Sequence, residues 1–274
     1  MIDYLLIGHV STDLTPDGPK PGGAVTFASR VAHVLGYKTA VLTSAAPDYD
    51  FDAALPDGVE VVSIPSPATT VFENVYTPEG DRTQTIHSQA GIIRPEHVPE
   101  AWRSAKIVHL APIADEIEVD VARVFSGSVI GMTPQGWLRG WDEAGKVVAR
   151  RAPFTAELLP LVSAAVASEE DLVAADQVER ASAIVPVVAV TDGSRGCRVY
   201  FRGEMRRFMP PTVQSVDATG AGDTFATAFF IRLYETRDPW EAARFANLLA
   251  ARSVTQPDVE SKMQEIRRIM SEMA

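Results

Sequence analysis

Along the chain the hydrophobic positions change period several times, and the changes mark out its elements. Residues 2 to 8 (IDYLLIG) form a short continuous apolar run, as a buried strand does. From Ala24 the apolar residues recur at helical spacing until Gly36 ends the run. Pro21, Gly22 and Gly23 form the turn between the two. Further apolar runs follow at KTAVLTS (38–44), VEVVSI (59–64), AKIVHLA (105–111), SVIGM (128–132), AAVAS (164–168) and VPVVAV (185–190), several of them separated by helical stretches such as 117–125 and 176–183. Near-continuous Val, Ile and Ala strands alternating with helices predict an α/β protein with a mostly parallel sheet covered on both faces.

Two regions depart from that rhythm. Residues 69–88 (TTVFENVYTPEGDRTQTIHS) alternate with the strand period, and Pro78 and Gly80 suit a tight turn, so a β-hairpin is expected. Such a hairpin either projects over a pocket or is an ordinary sheet edge. On it Phe72, Asn74 and Tyr76 share one face and Val71, Glu73 and Val75 the other, so one face can cap a ligand while the other meets water or a second subunit. An exposed turn position is the expectation for Arg82. After Ala221 the pattern predicts three helices, 221–235, 239–254 and 260–272, with Pro239 suited to the first turn of the second. No repeat, low-complexity tract or linker interrupts the chain, and a single domain over 1–274 is expected.

Nearly half of the 274 residues are apolar, enough for a full core. The 25 basic and 36 acidic residues leave a net charge of −11, which repels nucleic acid and anionic lipid alike. Cys197 is the sole cysteine, so no internal disulfide forms and a reducing cytoplasm is the expected setting. The opening residues lack a basic leader, and no apolar run approaches the roughly 18 residues of a membrane span.

Candidate chemistry concentrates in DATGAGD, residues 217–223. Gly220 and Gly222 strip side chains from a helix start, where the amides of Gly220, Ala221 and Gly222 can face an anion and the helix dipole adds positive charge. Asp223 in the same turn would repel that anion unless it has a task. Accepting the proton of an attacking hydroxyl during phosphoryl transfer is such a task. A helix start with packing glycines and an N-terminal acid accounts for the same residues.

The order of motifs adds to this. A GG-led helix near the N-terminus, a strand running into VTDGSRG (190–196), and DATGAGDTF opening a helix resemble, in that order, the PfkB or ribokinase-like family of small-molecule kinases. The likeness spans essentially the whole chain. It implies a ribokinase-like three-layer sandwich with a small β lid, ATP and magnesium as cofactors, and in many members a monovalent cation, usually potassium. By position, Asp223 matches the catalytic base, and Gly220, Ala221 and Gly222 the anion hole. Asp13, placed at the end of the first strand, matches the aspartate that holds substrate hydroxyls, and Gly22 and Gly23 the pair that admits close backbone approach. Thr191, Gly193, Gly196 and Thr219 match the nucleotide site, Asn247 lies in the helix that flanks adenine, and Asp217 matches the monovalent-cation position.

The chain departs from the family at two points. The usual NxxE, associated with magnesium, reads SEED here, so Asp171 keeps the acid while Ser168 replaces the amide; a serine followed three residues later by an acid is equally a helix cap. Phe27 stands where many sugar kinases have asparagine. GGAVTFAS, TTVFE, TPQGWLRG (133–140) and VTDGSRGCRVY look most similar to the myo-inositol kinase branch, which makes Asp13, Thr26, Gln135 and Asp223 candidate partners for polyol hydroxyls; Gln135 also reads as a surface loop residue. The expectation is therefore an ATP-dependent kinase acting on a hydroxyl of a small polyol or sugar, myo-inositol among the candidates, with a homodimer through the lid. A nucleoside or other sugar kinase, and a non-catalytic ligand-binding relative, are the alternatives. His9, His33, His87, His97 and His109 have no metal-ligand spacing.

Overall fold

The computed structural model describes residues 1–76, 82–150, 157–174 and 176–273; for Tyr76 and Arg82 it describes the backbone alone, so the TPEG turn and the Arg82 side chain lie outside the described residues. In chain order the strands are β1 (Tyr4–Ile7), β2 (Ser11–Thr15), β3 (Gly18–Gly22), β4 (Thr39–Ala45), β5 (Glu60–Pro65), β6 (Thr70–Tyr76), β7 (Arg82–Ser88), β8 (Ile107–Leu110), β9 (Val129–Met132), β10 (Arg139–Trp141), β11 (Val147–Ala149), β12 (Ala164–Ser168), β13 (Val187–Thr191), β14 (Cys197–Phe201) and β15 (Glu204–Phe208). The helices are α1 (Ala24–Val34), α2 (Phe51–Ala54), α3 (Gln177–Ser182), α4 (Ala221–Thr236), α5 (Pro239–Ser253) and α6 (Val259–Met273).

Nine strands form one sheet in the order β15-β14-β13-β12-β9-β8-β1-β4-β5. Neighbours from β13 to β5 are parallel, and β14 and β15 close one edge antiparallel. Successive side chains on a strand point to opposite faces, and here both faces are dry. Tyr4 and Leu6 join the core under α1, α4 and α5, whereas Leu5 and Ile7 join a second core with Trp102, Val121 and Leu158. Burial on both sides is why these strands read as unbroken apolar runs. The two layers differ in kind. Long helices cover the first face; the second carries the short α3, within the helical stretch expected at 176–183, and 3₁₀ segments such as Val119–Val124, within the stretch expected at 117–125.

α4 is apolar nearly all round because it is the central helix of its layer. Its residues from Thr224 to Ile231 are all buried, with Phe229 and Phe230 fully so. Asp238 caps α5 by accepting from the Trp240 and Glu241 amides, with Pro239 in the first turn as the pattern predicts.

Above one end of the large sheet lies a second sheet, β3-β2-β6-β7, with the ribbon β10-β11 joined to it by a Thr85–Lys146 bridge. The hairpin at 69–88 is thus half of a four-stranded lid. Ser11–Thr15 and Gly18–Gly22 carry no apolar alternation, and Pro19 and Pro21 suit an edge strand that needs few donors, so the pattern concealed them. Asp13 accordingly sits in the middle of β2, opposite Phe72 and Lys20, and not at the end of the first strand. Phe72 and Ile86 pack on Ile113 and Ala114, which fastens the lid to the core.

Candidate active site

The segment entering α4 is held in shape by its own side chains. Asp217 accepts from the Thr219 amide (3.0 Å) and hydroxyl (2.7 Å) through one carboxylate oxygen. Gly220 then turns left-handed, with φ 74°, and a Cβ on it would lie 2.6 Å from the Phe27 ring. Phe27 therefore acts on the loop as a packing plate. At Gly222 a Cβ would meet nothing within 4 Å, so the missing side chain there leaves open space. The amides of Gly220 and Gly222 have no protein acceptor among the described residues, but Ala221 donates to Ala218 O at 3.1 Å. Its amide is committed to the turn, which removes one of the three donors expected of the anion hole.

Gly222 and Asp223 open onto a cleft whose wall also includes Thr133, Gln135, Asp171 and Thr191. Three strands and a helix deliver these groups to one end of the sheet: Thr133 follows β9, Ser168 ends β12, Thr191 ends β13, and α4 starts beside them. That is where ligands sit in open parallel sheets. Burial pushes the Asp223 carboxyl up to about 7, against the pull of the Arg139 guanidinium. A carboxyl balanced near neutrality at a helix start, facing open space, can take a proton from an alcohol while the neighbouring amides hold an anion.

Arg139, which the sequence pattern did not single out, organises the opposite wall. It is 8% exposed and donates to Asp171 Oδ1 at 3.0 Å and to Gln84 Oε1 at 3.1 Å. Gln84 donates in turn to Asn74 Oδ1 at 3.0 Å, and Gln135 donates to Asp171 Oδ2 at 3.4 Å. A polar chain thus runs from the inner face of the lid to the cleft. The available signal was Arg139 within TPQGWLRG: a cation placed just after two buried apolar residues.

Other expected site residues have structural tasks. Asp13 projects over Gly22, where a Cβ would lie 2.4 Å from its carboxylate, and accepts from Ser11 Oγ at 3.1 Å. Gly23, at φ 90°, caps the start of α1, and a Cβ on it would lie 2.6 Å from the His9 carbonyl oxygen, too near for a side chain. Thr26 is buried, and its hydroxyl donates to Gly22 O at 2.6 Å, so it fastens the first turn of α1 and is not offered to a ligand. Gly193 stands in open space, whereas a Cβ on Gly196 would strike Phe208 O at 2.0 Å. Asn247 is buried and donates to Phe208 O at 3.1 Å, which ties α5 to β15.

Metal ligation follows the same pattern. Ser168 accepts from the Glu170 amide at 3.3 Å, the capping alternative, while Asp171 is ion-paired with Arg139. No described cluster of three His, Cys, Asp or Glu could cage an ion. Asp171 nevertheless fits a magnesium that arrives on nucleotide phosphates, since that ion uses one or two protein carboxylates and keeps its remaining ligands. The site expected for a monovalent cation does not fit one. Lys262 Nζ lies 2.6 Å from Asp217 Oδ2 and 2.8 Å from Thr219 O, and occupies those ligands itself.

Comparison with known proteins finds similarity to small-molecule kinases. Residues 153–266 match the family described as pfkB family carbohydrate kinase. A cytidine kinase of Thermococcus kodakarensis is 26% identical over 93% of this chain and 96% of its own. An inositol 3-kinase of rice, Oryza sativa subsp. japonica, is 27% identical over 93% of this chain, which spans 64% of the rice protein. Among solved structures, a pyrophosphate-dependent kinase in the ribokinase family, complexed with a pyrophosphate analogue and myo-inositol, superposes with a TM-score of 0.80 at 23% identity, covering 96% of this chain and 99% of that one.

The fold is that of the ribokinase-type kinases, and the relatives mark the protein as a phosphotransferase acting on a hydroxyl group. Its residues 153–266 are similar to the pfkB family of carbohydrate kinases. No helix among the described residues is long and apolar enough to cross a membrane.

Proposed function

We propose that the protein phosphorylates a hydroxyl of a small cyclic polyol, with myo-inositol the first acceptor to test. The observation that carries this reading is that one cleft is lined by the open Gly222 face, Asp223 and two fixed polar groups, Gln135 and Asp171, the latter held by Arg139. A polyol ring presents only hydroxyls. Pre-set amide and carboxylate partners suit it, and each unpaired buried hydroxyl costs on the order of 1–3 kcal/mol. In this reading Asp223 orients the acceptor hydroxyl and takes its proton, and the Gly222 amide receives the migrating phosphoryl. Magnesium, held by Asp171 and the donor phosphates, would neutralise charge on those phosphates. The rice relative and the myo-inositol complex support the acceptor class.

The cytidine kinase relative, alike in identity and longer in coverage, favours a second reading with a nucleoside acceptor. A matrix of acceptors (inositol isomers, pentoses, hexoses, nucleosides) against two donors, ATP and pyrophosphate, tests both. The expected result is ATP-dependent turnover strongest with an inositol. Turnover confined to nucleosides would replace the polyol reading, and turnover with pyrophosphate alone would replace ATP as donor.

A further inference from the structure

Buried lysines are rare because removing an ammonium from water costs several kcal/mol unless its charge and hydrogens are matched. Lys262, in the first turns of α6, is 3% exposed. Its ammonium reaches across to the segment entering α4 and donates to Asp217 Oδ2 at 2.6 Å and to Thr219 O at 2.8 Å. The other Asp217 oxygen already accepts from the Thr219 amide and hydroxyl. One charged atom therefore closes a ring of contacts around the residues immediately before Gly220. The backbone of α6 holds its end firmly: Asp258 accepts from the Ser261 amide at 2.8 Å, and the Lys262 amide donates to Asp258 O at 3.0 Å.

The charge balance gives this arrangement a purpose. Asp217 on its own would place a negative charge a few residues from amides that must receive a phosphoryl group, and the Thr219 carbonyl adds a further negative dipole. A cation bound to both cancels the repulsion and fixes the direction of the loop. Family resemblance assigns that task to a dissociable monovalent ion, but here the two ligands are held by a side chain.

We propose that Lys262 is a positioning residue whose tethered ammonium does the work of a bound monovalent cation beneath the anion-receiving loop, so that turnover requires no added potassium. This rests on the kinase reading of the cleft. The test compares the parent and Lys262→Met in choline chloride and in potassium chloride, with magnesium and a choline or Tris salt of ATP. The parent should turn over equally, within about twofold, in both salts. The variant should lose about a hundredfold in kcat in choline, with little change in KM for the acceptor, and recover at least tenfold of it in potassium or ammonium. Rescue by a free cation separates lost charge from lost packing.

Parent activity that rises several-fold with potassium overturns the inference, as does a variant as active as the parent or one that no cation rescues. If Lys262→Met does not fold, the salt response of the parent decides alone. If no acceptor turns over, the kinase reading fails by itself. Calorimetric binding of ATP in the two salts then decides for Lys262: the inference requires parent affinity independent of potassium and variant affinity restored by it, and any other pattern overturns it.

Discussion

Arg139 and Asp171 meet in a nearly dry ion pair, 3.0 Å apart, with 10% and 13% of their side chains exposed. Since Arg139 also holds Gln84 of the lid, the pair couples lid to core. Removing one partner of such a pair strands the other charge, at a cost of about 3–5 kcal/mol. Arg139→Gln should therefore lower the melting temperature clearly. It should also raise KM for the acceptor and shift the acidic limb of the rate profile to higher pH, because Arg139 opposes the upward shift of the Asp223 carboxyl. Thermal unfolding and a pH series of kcat/KM check the three effects together.

Asp223 should govern that profile in the parent. A proton acceptor works ionised, and burial raises this carboxyl from 3.8 to about 7, so kcat/KM should climb about tenfold per pH unit below 7 and level off above it. Asp223→Asn should keep ATP binding and lose most turnover. The stability effect has a definite sign. A folded-state value above the unfolded one gives a contribution that is full below 3.8 and lost as pH rises through about 7. The asparagine variant should consequently melt higher than the parent at pH 8, with little difference near pH 3.5. Equal turnover of parent and variant would remove Asp223 from the mechanism.

The inner face of the lid should select the acceptor. Asn74 and Gln84 are joined at 3.0 Å, and Gln84 is held by Arg139. Gln84→Leu keeps the volume and breaks both links. It should raise KM for the preferred acceptor by about 1–3 kcal/mol equivalent, roughly five- to 150-fold, and leave KM for ATP within a factor of two. Loss of ATP affinity instead would place the lid chain on the donor side.

Much of this architecture was legible in the chain, for identifiable reasons. Strands buried on both faces, such as Tyr4–Ile7, betray themselves as apolar runs, and α4 and α5 carry strong starts at Gly220 and Asp238. Strands that bind by backbone alone do not: Gly18–Gly22 has no inward apolar side chain to reveal it. Single residues were harder still. Thr26 and Asn247 are polar where a ligand was expected, but their partners are carbonyls brought in by folding. Arg139 and Lys262 gain their meaning from contacts 32 and 45 residues away in sequence, which no local pattern records.

The two glycines flanking Ala221 should separate stability from activity. Gly220 has φ 74° and lies against Phe27, so Gly220→Ala must both strain the backbone and push the ring by its 2.6 Å contact. A loss of about 1–3 kcal/mol is expected. Gly222 sits in the first turn of α4 with nothing within 4 Å of its missing Cβ, and there alanine is up to about 1 kcal/mol better than glycine in a helix. Gly222→Ala should unfold at the same temperature as the parent or a few degrees higher. Its methyl group, however, fills the space beside Asp223 into which a phosphoryl group must come, so kcat should fall at least about tenfold with ATP and acceptor both saturating. Melting curves and initial rates on the two variants decide the matter: an active Gly222→Ala would mean that the transferred group passes somewhere other than over this helix start.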